Sequence, residues 1–182
     1  MAPFDIRPLA STPGTIAALA DLLIETVGAG GSVSFMHPLA RGDAEAFWTN
    51  ALAEADAGRR IVLGAHANGV LIATVTLDLD RPPNQPHRAE IAKLMTRLAH
   101  RGHGAARALM QEAERRAAAS GRSLITLDMA EEDGAAGLYE GLGYQRVGRI
   151  PDYALKPHGG LTGTIIFFKR LRAADRPSDR RR

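Results

Sequence analysis

From Thr12 to Val27 the apolar residues Ile16, Leu19, Leu22, Leu23 and Val27 recur at three- and four-residue spacing, which predicts an amphipathic helix. Before it, FDIRPL reads as a short strand. After it, GAGGSVSFMHPL breaks the period with glycines and a later proline, and predicts a loop. Val33, Phe35 and Met36 stand among those glycines, as in a ligand lid or a loop folded back onto the core. RGDAEAFWTNALAEADAG predicts a second helix, capped by Asp43 and ended by Gly58. RRIVLGAHANG and VLIATVTLDLD are β-rich runs that ANG joins as a hairpin. RPPNQPH is a proline-rich loop and RAEIAKLMTRL a further long strand. HRGHGAARALM then opens a helix with Ala106, Leu109, Met110, Ala113 and Ala117 as its apolar stripe. SLITLDM predicts a strand, and EEDGAAGLYEGLGY a short helix ending near Gly143. QRVGRI and TGTIIFFKRL form the last two strands, separated by PDYALKPHGGL.

The order β–α–α–β–β–β–α–β–α–β–β predicts an α/β (α+β) fold: a mixed, mostly antiparallel sheet with helices on both faces. Three consecutive strands pair antiparallel, while the helical crossover from AEIAKLM to SLITLDM is long enough to set those two strands parallel. No repeat or linker divides the chain, so one domain is expected over residues 1–170, followed by a basic, disordered tail over 171–182.

Composition narrows the chemistry by exclusion. The 182 residues contain no cysteine, which removes disulfides, thiolate metal sites and cysteine nucleophiles. The six histidines are scattered without ligand spacing, so no metal is expected. No apolar run approaches the ~20 residues of a membrane span, and MAPFDIRPLASTPG is unlike a signal peptide, so a cytoplasmic protein without membrane partners is expected. The net charge of +3 comes from the end of the chain: RLRAADRPSDRRR holds six arginines and two aspartates, a net of +4, which leaves −1 for residues 1–169. The body has no basic and aromatic stripe, and nucleic acid is not an expected partner.

The helix opened by HRGHGAARALM carries the strongest chemical signal. A first helical turn leaves backbone N–H groups unpaired at the positive end of the dipole. Gly102 and Gly104 remove side chains that would keep an anion away from them, and Arg101 adds a bidentate cationic donor. GxxxxGK[ST] is absent, and so is a dinucleotide fingerprint. A strand–RxxGxA–helix unit matched to a pyrophosphate remains.

Arg101-Gly102-His103-Gly104-Ala105-Ala106 resembles the Q/R-x-x-G-x-G/A motif of the GNAT superfamily of acyl-CoA N-acyltransferases. AEIAKLMTR resembles that family's central strand, GLYEGLGYQRVG its late helix and strand, and the likeness covers residues 4–170. LLIETVGAGGSVSFMHPL, RAEIAKLM, LITLDM and YQRVGRIPDYALKPHGGLTGTIIFFK further resemble the tabtoxin-resistance acetyltransferases, which acetylate the amine of a β-lactam toxin. The resemblance implies a GNAT fold with a splayed parallel strand pair, acetyl-CoA as acyl donor, and a homodimer as in many relatives. It implies coenzyme contacts at Arg101 and the backbone of Gly102, His103, Gly104, Ala105 and Ala106. It also implies a pantetheine edge at Leu94, Met95 and Thr96, with a thioester-polarising N–H near Leu94 or Met95 if the strand bulges there. Glu132 stands where many members have an asparagine that holds the coenzyme arm.

Acetyl transfer to an amine needs a neutral nucleophile, a donor to the developing oxyanion and an acid for the departing thiolate. An alkyl ammonium has a pKa near ~10.4, so a carboxylate or a water chain must help remove its proton. The resemblance assigns the acid to Tyr139, and amine positioning and deprotonation to Glu90 and Asp128. Strand alternation puts Glu90 on the face of Ala92, Leu94 and Thr96 and turns Lys93 to the other face as a structural residue. Phe35, Met36 and Tyr153 lie in the segments most like the narrower family and are expected to line the acceptor pocket. The leading expectation is an N-acetyltransferase for a small amine, such as a β-lactam amino acid toxin or an antibiotic. A protein or peptide N-acetyltransferase and a catalytically silent coenzyme A-binding domain are the alternatives.

Overall fold

A computed structural model of the protein describes residues 4–171. Thr12 starts helix α1 (Pro13–Gly28) by accepting the N–H of Thr15 on its hydroxyl at 3.2 Å, which satisfies a donor the helix leaves open. Leu19, Leu22, Leu23 and Val27 are buried, as their spacing requires. Helix α2 (Arg41–Asp56) begins one turn earlier than expected. Ala40 occupies the cap position, and Asp43 sits inside the first turn, where its charge complements the helix dipole.

Strand β1 (Asp5–Pro8) is an edge beside β2 (Arg60–Ala67). The turn from β2 to β3 (Val70–Asp78) uses Asn68 at φ 50° and Gly69 at φ 80°, the left-handed pair that a two-residue hairpin demands. β4 (Arg88–Thr96), α3 (Ala105–Ala119), β5 (Leu124–Ala130), α4 (Ala136–Glu140), β6 (Gln145–Leu155) and β7 (Leu161–Arg170) complete the order. β6 is longer than QRVGRI. Its ladder to β7 is interrupted after Ile150 and resumes at Ala154, so PDYAL belongs to the strand. Pro151 is tolerated there because β6 is the other edge of the sheet. Of the segment expected to form a tail, residues 172–182 lie outside the described residues.

The seven strands form one sheet in the order β1-β2-β3-β4-β5-β7-β6, antiparallel throughout except for the parallel pair β4–β5. α1 and α2 cover one face around Trp48, Leu52, Leu22 and Val62. α3 covers the other with Leu109, Met110, Ala113 and Ala117 against Val75, Ile91 and Ile125. Ala105 replaces Ala106 in that stripe: Ala105 is buried, whereas Ala106 is only half-buried. Among the described residues, no helix is long and apolar enough to cross a membrane.

One polar contact ties α3 to β7. The Lys169 ammonium donates to Glu114 Oε2 at 2.6 Å and to the Leu142 carbonyl at 2.7 Å, with the two side chains only 22% and 14% exposed. Removing one partner strands the other charge, so Lys169→Met is expected to cost about 3 kcal/mol in urea unfolding. The double variant with Glu114→Met should recover most of that loss.

Candidate active site

The parallel pair holds together over a short register only, from Arg88↔Leu124 to Glu90↔Thr126. Beyond it Ile91–Thr96 and Leu127–Ala130 part, and β4 shows an open edge towards β5. β4 also carries a bulge there. Thr76 pairs with Ala92 and Thr74 with Met95, so Lys93 and Leu94 together face one residue of β3. A bulge adds a residue and shifts the side-chain alternation, which overturns the expected face of this strand. Glu90, Ala92 and Met95 lie on the α1–α2 side, while Leu94 packs with the α3-side core and Thr96 pairs with that core's Ala73. Lys93, at φ 51°, turns to the α1–α2 side and lines the cleft instead of the opposite face.

At the end of β4 a single 3₁₀ turn, Leu98–His100, leads into the glycine stretch. Gly102 and Gly104 have φ of 78° and 89°, and a methyl group added at either would meet nothing within 4 Å. The mouth of α3 is therefore open, and no side chain caps its first turn. Arg101, Gly102, Gly104, Ala105 and Ala106 line the cleft; His103 does not, although its backbone belongs to the same turn. Arg97 and Glu25 brace the approach: their side chains pair at 2.9 Å, and Glu25 also accepts the Leu98 N–H at 2.7 Å. Sequence reasoning passed over Arg107, which lines the cleft and donates to the Gly141 carbonyl at 3.1 Å. A cation in the first turn of a helix opposes the dipole, and that misfit was the available signal.

The two carboxylates sit in different company. Glu90 accepts from Arg81 at 2.6 Å and from Arg88 at 3.2 Å, so its charge is committed to two guanidinium groups. Asp128, at the parted end of β5, accepts one hydroxyl, that of Thr164, at 3.0 Å. Both line the cleft together with Tyr139. The Tyr139 ring lies 5.6 Å from that of Phe167 and 6.0 Å from that of Tyr144, and the residue is only 6% exposed. Burial, with Asp133 and Asp128 nearby, pushes its pKa up to about 12. The phenol keeps its proton at neutral pH.

On the α1–α2 side the cleft is rimmed by the loop after α1 and by β6. Phe35, Met36 and Tyr153 all line it. Phe35 also packs edge-on against Phe47 at 5.1 Å, so the loop serves both the core and the rim. The loop is tied to the β6–β7 turn: His37 N–H donates to the Pro157 carbonyl at 2.9 Å, and the His37 and His158 rings pack at 4.4 Å with a 46° tilt. Glu132 is occupied by an ion pair with Lys156 at 3.2 Å. The cleft encloses about 1260 Å³, room for a long ligand passing between the parted strands. Among the described residues, no group of side chains is arranged to hold a metal ion.

Residues 31–144 match the Acetyltransferase (GNAT) family. In structure the chain is similar to the ribosomal-protein-alanine N-acetyltransferase from Brucella melitensis, with a TM-score of 0.79 at 20% identity, covering 92% of this chain and 99% of that one. It is similar to the yncA acetyltransferase from Salmonella typhimurium with its cofactor acetyl-CoA, at a TM-score of 0.77 and 18% identity over 97% and 99% of the two chains. A phosphinothricin N-acetyltransferase aligns at a TM-score of 0.74 and 20% identity over 93% and 99%.

Proposed function

The chain belongs to the acetyltransferase (GNAT) family, and we propose that it acetylates the primary amine of a small molecule. It is an acetyl-CoA-dependent N-acetyltransferase. The open helix mouth at Gly102–Ala106 suits a pyrophosphate, and the open edge of β4 suits an extended pantetheine arm. Bound acetyl-CoA supplies an activated thioester.

The residues of this chain divide the remaining work. In our reading an N–H group at the bulge, near Leu94 or Met95, polarises the carbonyl, because the bulge leaves Lys93 and Leu94 without regular ladder partners. Asp128, which has no guanidinium partner among the described residues, takes the proton of the acceptor ammonium. Glu90, clamped by Arg81 and Arg88, holds the floor of the pocket. Tyr139 supplies a proton to the departing sulfur.

The observation that carries the small-molecule reading is the rim. The loop over residues 28–38 is tied to the β6–β7 turn through His37, Pro157 and His158, which closes the side where a peptide would need an open groove. Likeness to the tabtoxin-resistance enzymes in the rim-forming segments supports a toxin or antibiotic amine as acceptor, and detoxification or self-protection as the role. The test is thiol release from acetyl-CoA across tabtoxinine-β-lactam, phosphinothricin, other amino acids, aminoglycosides and an N-terminal alanyl peptide. Turnover on a small amine is expected. Asp128→Asn should lower kcat about a hundred-fold or more, and Glu90→Gln much less. Turnover on the peptide alone would reject the reading.

A further inference from the structure

We propose that Lys93 selects amines that also carry a carboxylate, so that the acceptor is an amino-acid-like zwitterion; the inference rests on the small-molecule reading above. Lys93 occupies the left-handed position of the β4 bulge at φ 51°. Glycine reaches that conformation freely, and any other side chain adopts it at a cost. Strain of this kind persists where the surrounding structure uses the residue. Here its consequence is to turn a long cationic side chain into the cleft from a strand that is otherwise apolar at this level.

The ammonium is held but not neutralised. It donates to Ser34 Oγ at 3.1 Å and lies 5.7 Å from the ring centres of Phe35 and Phe47. An ammonium has three donors, so two more are open to a ligand. Among the described residues no carboxylate comes within ion-pair distance of it. Burial holds its pKa below the usual lysine value, with Asp128 opposing that effect and Arg60 adding to it. A cation stripped of water in this way gains from meeting an anion.

Lys93 and Asp128 therefore present opposite charges to one cavity without cancelling each other. Glu90 differs, since Arg81 and Arg88 satisfy it internally. A separated cation and anion fit a ligand with both an ammonium and a carboxylate. The ammonium end belongs at Asp128, where it loses its proton, and the carboxylate end at Lys93.

The test compares matched acceptors on the full chain: L-methionine with L-methioninamide, and β-alanine with β-alaninamide. In at least one pair the wild type is expected to favour the acid over the amide in kcat/KM by about ten-fold or more, the range of a charge-assisted hydrogen bond. Lys93→Met and Lys93→Gly should both collapse that ratio towards one, with the loss in KM for the acid. Glycine suits the bulge backbone, so the second variant separates a folding defect from a lost contact. A wild-type ratio near one in both pairs overturns the inference while leaving the small-amine activity standing. An acid preference that survives in Lys93→Gly also overturns it, as does an equal fall in kcat for acid and amide, which would mark Lys93 as a base. If no small amine is acetylated, although acetyl-CoA raises the melting temperature, the small-molecule reading fails and takes this inference with it.

Discussion

Tyr139→Phe is expected to lower kcat by about a hundred- to a thousand-fold, the range of a lost general acid, with little change in acetyl-CoA affinity. The substitution removes one oxygen and keeps the ring that packs against Phe167 and Tyr144, so the fold and the α3 cradle should persist. A thiolate leaving a thioester is a poor base compared with an alkoxide, yet without a donor its charge must develop beside a ring that is itself almost fully buried. The wild-type pH profile makes a second check. With its pKa at about 12, Tyr139 is protonated throughout the neutral and mildly alkaline range. The acid should therefore persist as pH rises through about 10, and be lost only as pH approaches the value set by burial. Steady-state thiol release in Tyr139→Phe with unchanged kcat would remove the residue from the chemistry.

Gly104→Val should act on the opposite side of the reaction, raising KM for acetyl-CoA by about a hundred-fold and abolishing the melting-temperature increase that acetyl-CoA gives the wild type. At φ 89° a β-branched residue is strained by about 1–2 kcal/mol or more, and the turn relaxes by moving the N–H groups it presents. The added methyl groups also stand in the open space before α3. For a chain of this size a 1 kcal/mol loss corresponds to roughly 2–4 °C in Tm. The apo protein should thus melt only slightly lower, while ligand-dependent stabilisation, about 2.7 kcal/mol at a hundred-fold excess over Kd, disappears. Retained stabilisation by acetyl-CoA in Gly104→Val would refute the pyrophosphate assignment.

These two residues show what periodicity and spacing can reveal. The helix mouth was legible because glycine, arginine and helix formers in sequence specify a backbone, and the backbone is the binding group we propose. Tyr139 was legible only through likeness to a family, since no pattern distinguishes a phenol in a cleft from one in a core. The bulge at Lys93 and Leu94 was not legible. EIAKLMT alternates smoothly as text, and only pairing with β3 exposes the extra residue. Its omission reversed the faces of Lys93, Leu94 and Thr96 at once, as a one-residue slip must. β6 was cut short for a related reason: Pro151 reads as a break until the strand is known to be an edge. Asp43 was one turn too late as a cap because Arg41 and Gly42 already continue the helix. The different partners of Glu90 and Asp128 lay beyond sequence as well, since they depend on Arg81, from the loop before β4, and Arg88, on β4 itself, both reaching one carboxylate.

The short seam between β4 and β5 has a mechanical consequence. Two half-sheets meet directly over Arg88–Glu90 and Leu124–Thr126, and elsewhere their union depends on the helices and on whatever lies in the gap. On the reading proposed above, a pantetheine arm in that gap would act as a temporary strand and give the sheet a continuity that the polypeptide alone lacks. The tightest state of the molecule is then one it must abandon on every turnover. Improving the seam by extending the β4–β5 ladder would harden the protein and close the channel, so rigidity here is purchased against throughput.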